Sequence, residues 1–529
     1  MENNSLLLDN IKQGAYLLLN HILQNHKIVF IVDSDTDGFT SAAILINYIW
    51  TLYPECNITY LLHDGKQHGL NDMMDKIDFS VDLVICADSA SNDYDAHEIL
   101  HKQGTDVLCL DHHEADKVSS YACVINNQLC DYPNKSLSGA GVVYKFCQFL
   151  DSLSPTLNDL ADSFLDLTAL GLVGDMMDLT NLETRYYVAY GLATPRNAFI
   201  KEIMKKNDFK IQGELSPFKI AFYVAPFINA TIRSGEPQDK LLLFESMLDK
   251  NANKLVPSTK RGCFGQEEKL TEQVCRRAGN IKNHQDKTVD DGLAIIEDII
   301  QRKNLLNNKL LIITLESPLE PNIIGLMANK LMGKYKRPVA VLNKGDGIWA
   351  GSARGYEKSE LKDFKAFLIE SGFTTLAQGH ANAFGLQIPF ENLQPLIDYS
   401  NDKLKDMNFE TCYLVDAINP TGEDVLEIAS LKNIWGQGIE EPYVVFENVN
   451  ITPDNIVLMA KNTLKISSDI EFIKFNAKPD EYEKLKANDN GCITVDIIGR
   501  CAVNEWLGKI TPQILMEDFE IKNNLKYYF

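Results

Sequence analysis

The sequence predicts an α/β protein: a parallel sheet in the N-terminal part, a helical connector, a smaller α/β unit, and short strands at the C-terminal end. Three observations carry this. Short continuous apolar runs alternate with stretches of helical periodicity, as expected for strands buried on both faces and joined by crossover helices. Acidic or histidine clusters stand directly after those runs. Beyond Gly436-Gln437-Gly438 the pattern turns to closely spaced β-like segments. At 529 residues the chain exceeds what one hydrophobic core supports, so several domains are expected.

Leu6 to Leu23 carries apolar residues at helical spacing and predicts an amphipathic helix. Lys27 to Val32 is a strand-like run ending at Asp33-Ser34-Asp35-Thr36-Asp37-Gly38, after which Ser41 to Trp50 is helical in pattern. The unit recurs at Ile58 to Leu62, at Val81 to Ala87 before Asp88, and at Asp106 to Leu110 before Asp111-His112-His113. Parallel sheets bind ligands beyond the carboxyl ends of their strands, where these acids fall. Ser136 to Leu150 predicts a helix whose Gly139-Ala140-Gly141 permits close approach, and Asp162 to Val173 one leading into Gly174-Asp175. Residues 196–300 are more helical and polar, with a long connector between Glu267 and Gln301. Lys309 to Thr314, a helix around Ile323 to Met332, and Pro338 to Leu342 begin a second α/β unit ending near residue 410. Tyr443 to Ile451, Asn455 to Ala460, Thr463 to Ile466, Glu471 to Phe475 and, after the Asn490-Gly491 turn signal, Cys492 to Ile498 predict a small barrel of OB-fold type.

The formal net charge of −22 repels nucleic acid at long range, so any such contact must use local basic patches or metals. Eleven cysteines without a C-x-x-C pair, some within strand-like runs (Cys86, Cys109), argue against a disulfide framework or zinc site. The chain starts without a basic segment and apolar core, and lacks an apolar run of about twenty residues. It reads as a cytoplasmic protein without a membrane partner.

The carboxylates at positions 33, 35 and 37 are spaced to converge on one cation. An EF-hand calcium loop would need a Glu six residues after the Gly, and Ile44 stands there. Alone, Asp88 is more readily a helix N-cap and Asp175 could simply be a cap, whereas Asp111-His112-His113, two histidines after a buried strand, points to a metal site more readily than to a polar loop. Jointly, clusters of hard oxygen and imidazole ligands at strand ends fit two divalent metals and in-line displacement at phosphorus. Trp506, Phe472, Phe475 and Tyr443 lie in the expected barrel, where aromatics are either core or base-stacking platforms. Lys260-Arg261 and Arg276-Arg277 are either solvated surface or the lining of a channel.

These motifs resemble the DHH phosphoesterase superfamily, and within it the RecJ-like single-stranded-DNA-specific exonucleases. The family's D-x-D-x-D-G appears as Asp33 to Gly38, its isolated aspartate as Asp88, its name-giving triplet as Asp111-His112-His113, and its fourth motif as Ala169 to Asp175. Pro321-Asn322-Ile323-Ile324-Gly325, Gly351-Ser352-Ala353-Arg354-Gly355, Gln378-Gly379-His380 and the stretch from Ile498 to Lys509 continue the likeness. It implies a DHH domain with helical extension over 1–265, a connector helix over 266–305, a substrate-binding DHHA1 domain over 306–410, and a linker with an OB-fold over 411–529. It implies Asp35, Asp37, Asp88, His112 and Asp175 as metal ligands, Asp88 bridging two cations (Mn2+ before Mg2+), and Asp33 as a further contact. His113 would face the scissile phosphate with support from Asp111, and Ser352, Arg354 and His380 would hold substrate phosphate. Asn229 and Arg233 lie in a segment similar to the family's substrate-contact region. Two positions depart: Ile31 stands where many members have histidine, and Gln378 replaces a glycine.

The resemblance implies a monomeric 5′-to-3′ exonuclease releasing 5′-mononucleotides in DNA repair and recombination, recruited by a helicase or single-strand-binding protein. The alternatives are a DHH phosphodiesterase for short oligonucleotides or cyclic dinucleotides, and a non-catalytic replication scaffold.

Overall fold

The computed structural model describes residues 5–64, 67–154, 156–157, 159–409, 413–486, 492–506 and 508–522; the Asn490-Gly491 turn signal lies outside them. Two compact units divide the chain. The first runs to residue 412 apart from 178–180 and 216–218, and the second takes those two segments and the remainder.

The first unit begins with a wholly parallel sheet of β1 (Ile28–Val32), β2 (Ile58–Leu62), β3 (Leu83–Ala87), β4 (Asp106–Asp111) and β5 (Cys123–Asn126), in the order β2-β1-β3-β4-β5. All residues of β1 and β3 are buried, which is why their sequences read as unbroken apolar runs. Around the sheet lie α1 (Ile11–Leu23), α2 (Thr36–Leu52), α3 (Tyr94–Gln103), α4 (Gly139–Ser152) and α5 (Leu165–Gly174). Gly14 lets α1 settle on the sheet, since a Cβ there would stand 2.8 Å from Ile125 Cδ1.

Two features differ from the sequence reading. The first is that α2 starts at Thr36 rather than Ser41: Asp35 caps it by accepting from Gly38 N at 3.0 Å, so Asp37 sits in its first turn. The second is β5, unanticipated because four residues after an irregular crossover leave no periodic signal.

Helices Leu182–Ala193, Ala198–Lys206, Ala225–Ser234 and Pro237–Met247 follow, then a hairpin of Leu255–Pro257 with Glu267–Lys269, and the long helix Leu270–Arg302. Arg276 and Arg277 are taken up by ion pairs with Glu268 and Asp239.

A second five-stranded sheet has the order Leu376–His380, Ala383–Pro389, Ile348–Arg354, Val339–Lys344, Leu311–Leu315. Its last two strands pair in parallel and the rest are antiparallel. Helix Pro321–Tyr335 packs on one face around Ile324, Met327 and Leu331, and Phe364, Leu368 and Leu396 cover the other.

The second unit carries a seven-stranded sheet ordered Val415–Ile418, Tyr443–Ile451, Ile493–Trp506, Lys509–Lys522, Glu471–Lys474, Thr463–Ile466, Ile456–Met459. Its core gathers Val444, Phe446, Leu464, Phe472, Val495, Ile497 and Ile514. Among the described residues no helix is long and apolar enough to cross a membrane.

Candidate metal centre

The carboxyl ends of β1, β3 and β4 converge. Asp33 follows β1, Asp88 follows β3, Asp111 closes β4, and Asp175 ends α5. Parallel pairing of Ala87 with Leu110 brings the residues just beyond them together. Asp37 is held by the start of α4: it accepts from Gly139 N at 2.7 Å, Ser138 Oγ at 2.8 Å and Ala140 N at 3.2 Å. A helix N-terminus favours such an anion. Asp88 has φ 75° and Ala90 φ 77°, left-handed conformations that cost non-glycine residues energy and cluster at functional sites.

His112 Nε2 lies 3.2 Å from Asp88 Oδ1, 3.4 Å from Asp175 Oδ2 and 3.9 Å from Asp37 Oδ2. Oxygens of Asp33, Asp35 and Asp88 likewise lie within 4.8 Å of one another. Asp88 is thus common to two ligand groups. Asp33 Oδ1, Asp88 Oδ1 and His112 Nε2 are buried without a hydrogen-bond partner. Backbone approaches just as closely: a Cβ on Gly139 would stand 2.5 Å from Asp88 Oδ1, and one on Gly171 would run into Asp37 Oδ1. Facing, unpartnered oxygen and imidazole donors in a cradle only glycines leave open fit divalent cations.

Electrostatics agree. Burial, then the charges of Asp37 and Asp35, pushes Asp88 well above the carboxylate range and Asp175 up to about 8. Burial also raises Asp35 and Asp37, and it lowers His112, leaving a neutral ring with a lone pair to give. A bound cation inverts these penalties.

His113 is treated differently. Burial opposes its charge, but the hydrogen bond from its Nδ1 to Asp111 Oδ1 at 2.8 Å and the Asp111 charge prevail and hold it up at about 9. Burial opposes the Asp111 charge too, yet His113, His112 and the Ser91 amide at 3.0 Å keep it below the carboxylate range.

A cationic group faces this centre within the same unit. Thr36 Oγ1 donates to Asn229 Oδ1 at 3.0 Å, and Arg233, one turn further along the helix, feels the charge of Asp35. Arg354 is lowered by burial and then by the charge of Arg233. Gly325 makes room for Arg354: a Cβ there would stand 2.7 Å from Arg354 Nη2 and 3.5 Å from Ser352 Oγ. His380 is exposed at a strand end, beside Ala383, whose other register partner is Arg354.

Residues 27–172 match the DHH family, N-terminal domain, and residues 415–518 the RecJ OB domain. The SPbeta prophage protein YorK of Bacillus subtilis (strain 168), named as a single-strand DNA-specific exonuclease, is 38% identical over 97% of this chain and 91% of its own. The chain belongs to the DHH family, in its RecJ-like branch. The single-stranded-DNA-specific exonuclease RecJ of Escherichia coli (strain K12) is 22% identical over 97% of this chain and 90% of its own. The solved structure of RecJ from Thermus thermophilus in complex with Mn2+ shares the fold at TM-score 0.76 and 16% identity, covering 98% of this chain and 72% of that one.

Within this RecJ-like frame some sequence candidates change meaning. Asp178, three residues after Asp175, accepts from Thr180 N and Oγ1 in its own turn, each at 2.8 Å. Phe472 is core and Tyr443 is buried against Arg500, whereas Phe475 is 60% exposed. Trp506 ends its strand, and its side chain lies outside the described residues. Ile31 is buried in the apolar face of the first sheet. Two histidines went unread. His63, just past β2, lies with Nε2 3.7 Å from Asp33 Oδ1, and His68 Nδ1 bonds Asp33 Oδ2 at 2.7 Å. The rule that ligands gather beyond parallel strands would have flagged His63, which follows Leu62 directly.

Proposed function

We propose that this chain is a metal-dependent exonuclease that hydrolyses single-stranded DNA from its 5′ end to 5′-mononucleotides. The observation that carries it is the opposed, unpartnered pair Asp88 Oδ1 and His112 Nε2, 3.2 Å apart at the junction of two ligand groups. The named activity of YorK at 38% identity supplies the substrate class.

Asp35, Asp37, Asp88, His112 and Asp175, with Asp33 beside them, would hold two divalent cations, Mn2+ before Mg2+. Such cations make water nucleophilic near neutral pH and neutralise charge on the phosphate oxygens. The rest is the chain's own work. Asp111 fixes the His113 tautomer by accepting from Nδ1, so Nε2–H remains to donate to a phosphate oxygen. The hydrogen bond to Asp111 and the Asp111 charge favour a protonated His113 ring, which would oppose the negative charge that builds on phosphorus oxygens in the transition state. Arg233 and Arg354, both partly stripped of water, would gain when an anionic phosphate binds beside them. Ser352, Asn229 and His380 extend that phosphate-holding surface. The exposed Phe475 on the OB unit offers a ring for a base to stack on. The setting we assign is DNA repair or recombination in the cytoplasm, as a monomer working with a helicase or single-strand-binding protein.

Asp88→Asn tests the site assignment. It keeps the shape but removes a repelled charge, so Mn2+-dependent hydrolysis falls by at least about 100-fold. The metal-stripped protein melts no lower than wild type. Retained hydrolysis by a folded variant would refute the assignment.

A further inference from the structure

The segment leaving β2 brings two imidazoles to Asp33 that the cation assignment above leaves unused. The register that pairs Val32 with Leu62 sets His63 beside Asp33. His63 is only 3% exposed, and neither of its ring nitrogens has a hydrogen bond. Asp33 Oδ1, buried and equally unpartnered, is 3.7 Å from His63 Nε2. That is long for a hydrogen bond. It suits two donors sharing one cation: ligand atoms each about 2.0–2.2 Å from a metal stand about 3–4 Å apart.

His68 explains why Asp33 presents that oxygen. Its Nδ1 bonds Oδ2 at 2.7 Å, which leaves Oδ1 turned toward His63. The His68 ring also stands edge-on to His113, centroids 4.9 Å apart, so it buttresses both sides of the centre. The segment is anchored at both ends. Ser34 Oγ donates to Gln67 O at 2.5 Å, and Leu70 N and Asn71 Nδ2 donate to Asp93 at 2.5 and 2.9 Å. An imidazole buried with both nitrogens unmet is costly unless something absent from the bare chain binds it.

We propose that His63 is a direct ligand of the cation that Asp33 Oδ1 would hold, and that His68 is a positioning residue that locks Asp33 for it. The proposal rests on the reading of two cations at this centre and deepens it. That cation then sees an imidazole besides carboxylates. Imidazole suits Mn2+ better than Mg2+, so His63 sets the metal preference of this half of the site.

The test is calorimetric titration of the metal-stripped full chain with Mn2+ and separately with Mg2+, for wild type, His63→Gln, His63→Ala and His68→Ala. Pulsed EPR of the Mn2+-loaded proteins reports 14N coupling from bound imidazole. Wild type takes up two Mn2+. Both His63 variants lose at least tenfold in affinity for one Mn2+ and lose part of the 14N coupling, while Mg2+ affinity moves less than threefold. His68→Ala weakens the same Mn2+ and keeps the coupling. Far-UV circular dichroism checks the fold, and the near-isosteric His63→Gln decides if His63→Ala unfolds. Unchanged Mn2+ affinity and 14N coupling in His63→Gln overturn the inference and leave the two-cation reading intact. Uptake of a single Mn2+ by wild type overturns that reading, whichever way His63 behaves.

Discussion

Asp88 Oδ1 and His112 Nε2 face each other across 3.2 Å without a hydrogen bond to either. Neighbouring strands force the encounter, because β3 and β4 pair Ala87 with Leu110 and each ends one residue before or at the start of the cluster. Burial disfavours charge on His112, and a divalent cation held by the two residues would resolve what is otherwise a buried mismatch.

The glycines give a test that leaves every ligand in place. Gly139→Ala puts a Cβ 2.5 Å from Asp88 Oδ1, so Mn2+ affinity falls at least tenfold by titration although alanine is the better helix former. Gly333→Ala is the matched control: its helix position faces open space, so it stabilises by up to about 1 kcal/mol and leaves Mn2+ binding alone.

Metal removal acquires a pH dependence. Asp175 rises from 3.8 to about 8 in the folded chain, and Asp88 is raised as well. A carboxyl raised on folding binds more protons when folded, so the stripped protein loses stability as pH climbs from about 4 to about 8. Bound cations remove that loss. Chelation therefore lowers the melting temperature more at pH 8 than at pH 6, measured by scanning calorimetry. An equal drop at both would exclude these carboxyls as the ligands.

Arg354→Lys keeps the charge but loses the planar fork that spans two phosphate oxygens. Its kcat/KM on a single-stranded oligonucleotide falls by about 10- to 100-fold, mostly through KM, while Mn2+ uptake is unchanged. Full activity with lysine would mean that only charge is read at this position.

Much of the first sheet was legible because β1, β3 and β4 are buried on both faces and each ends in chemistry the core would not tolerate. The acids carried their own position. Less visible were strands Ile348–Arg354, Leu376–His380 and Ala383–Pro389, where Gly351, Gly379 and Gly385 thin out the apolar pattern. The long pair Ile493–Trp506 and Lys509–Lys522 read only in part, because a register shift at Ile498/Gly499 interrupts its alternation. His63 and His68 were missed since an isolated histidine has no periodicity, and only the fold shows that both stand on Asp33. Arg276 and Arg277 looked available until the fold paired each with an acid.

Hydrolysis of a single polynucleotide strand at the Asp88–His112 centre is open to one direct measurement. It is nucleotide release by the Mn2+-loaded full chain from a long 5′-labelled single strand, its blunt duplex, and a dinucleotide. Labelled mononucleotide should leave the single strand at once, with little from the duplex and slow turnover of the dinucleotide. Rapid cleavage of the dinucleotide alone, or label released only after the rest of the strand, would contradict that function.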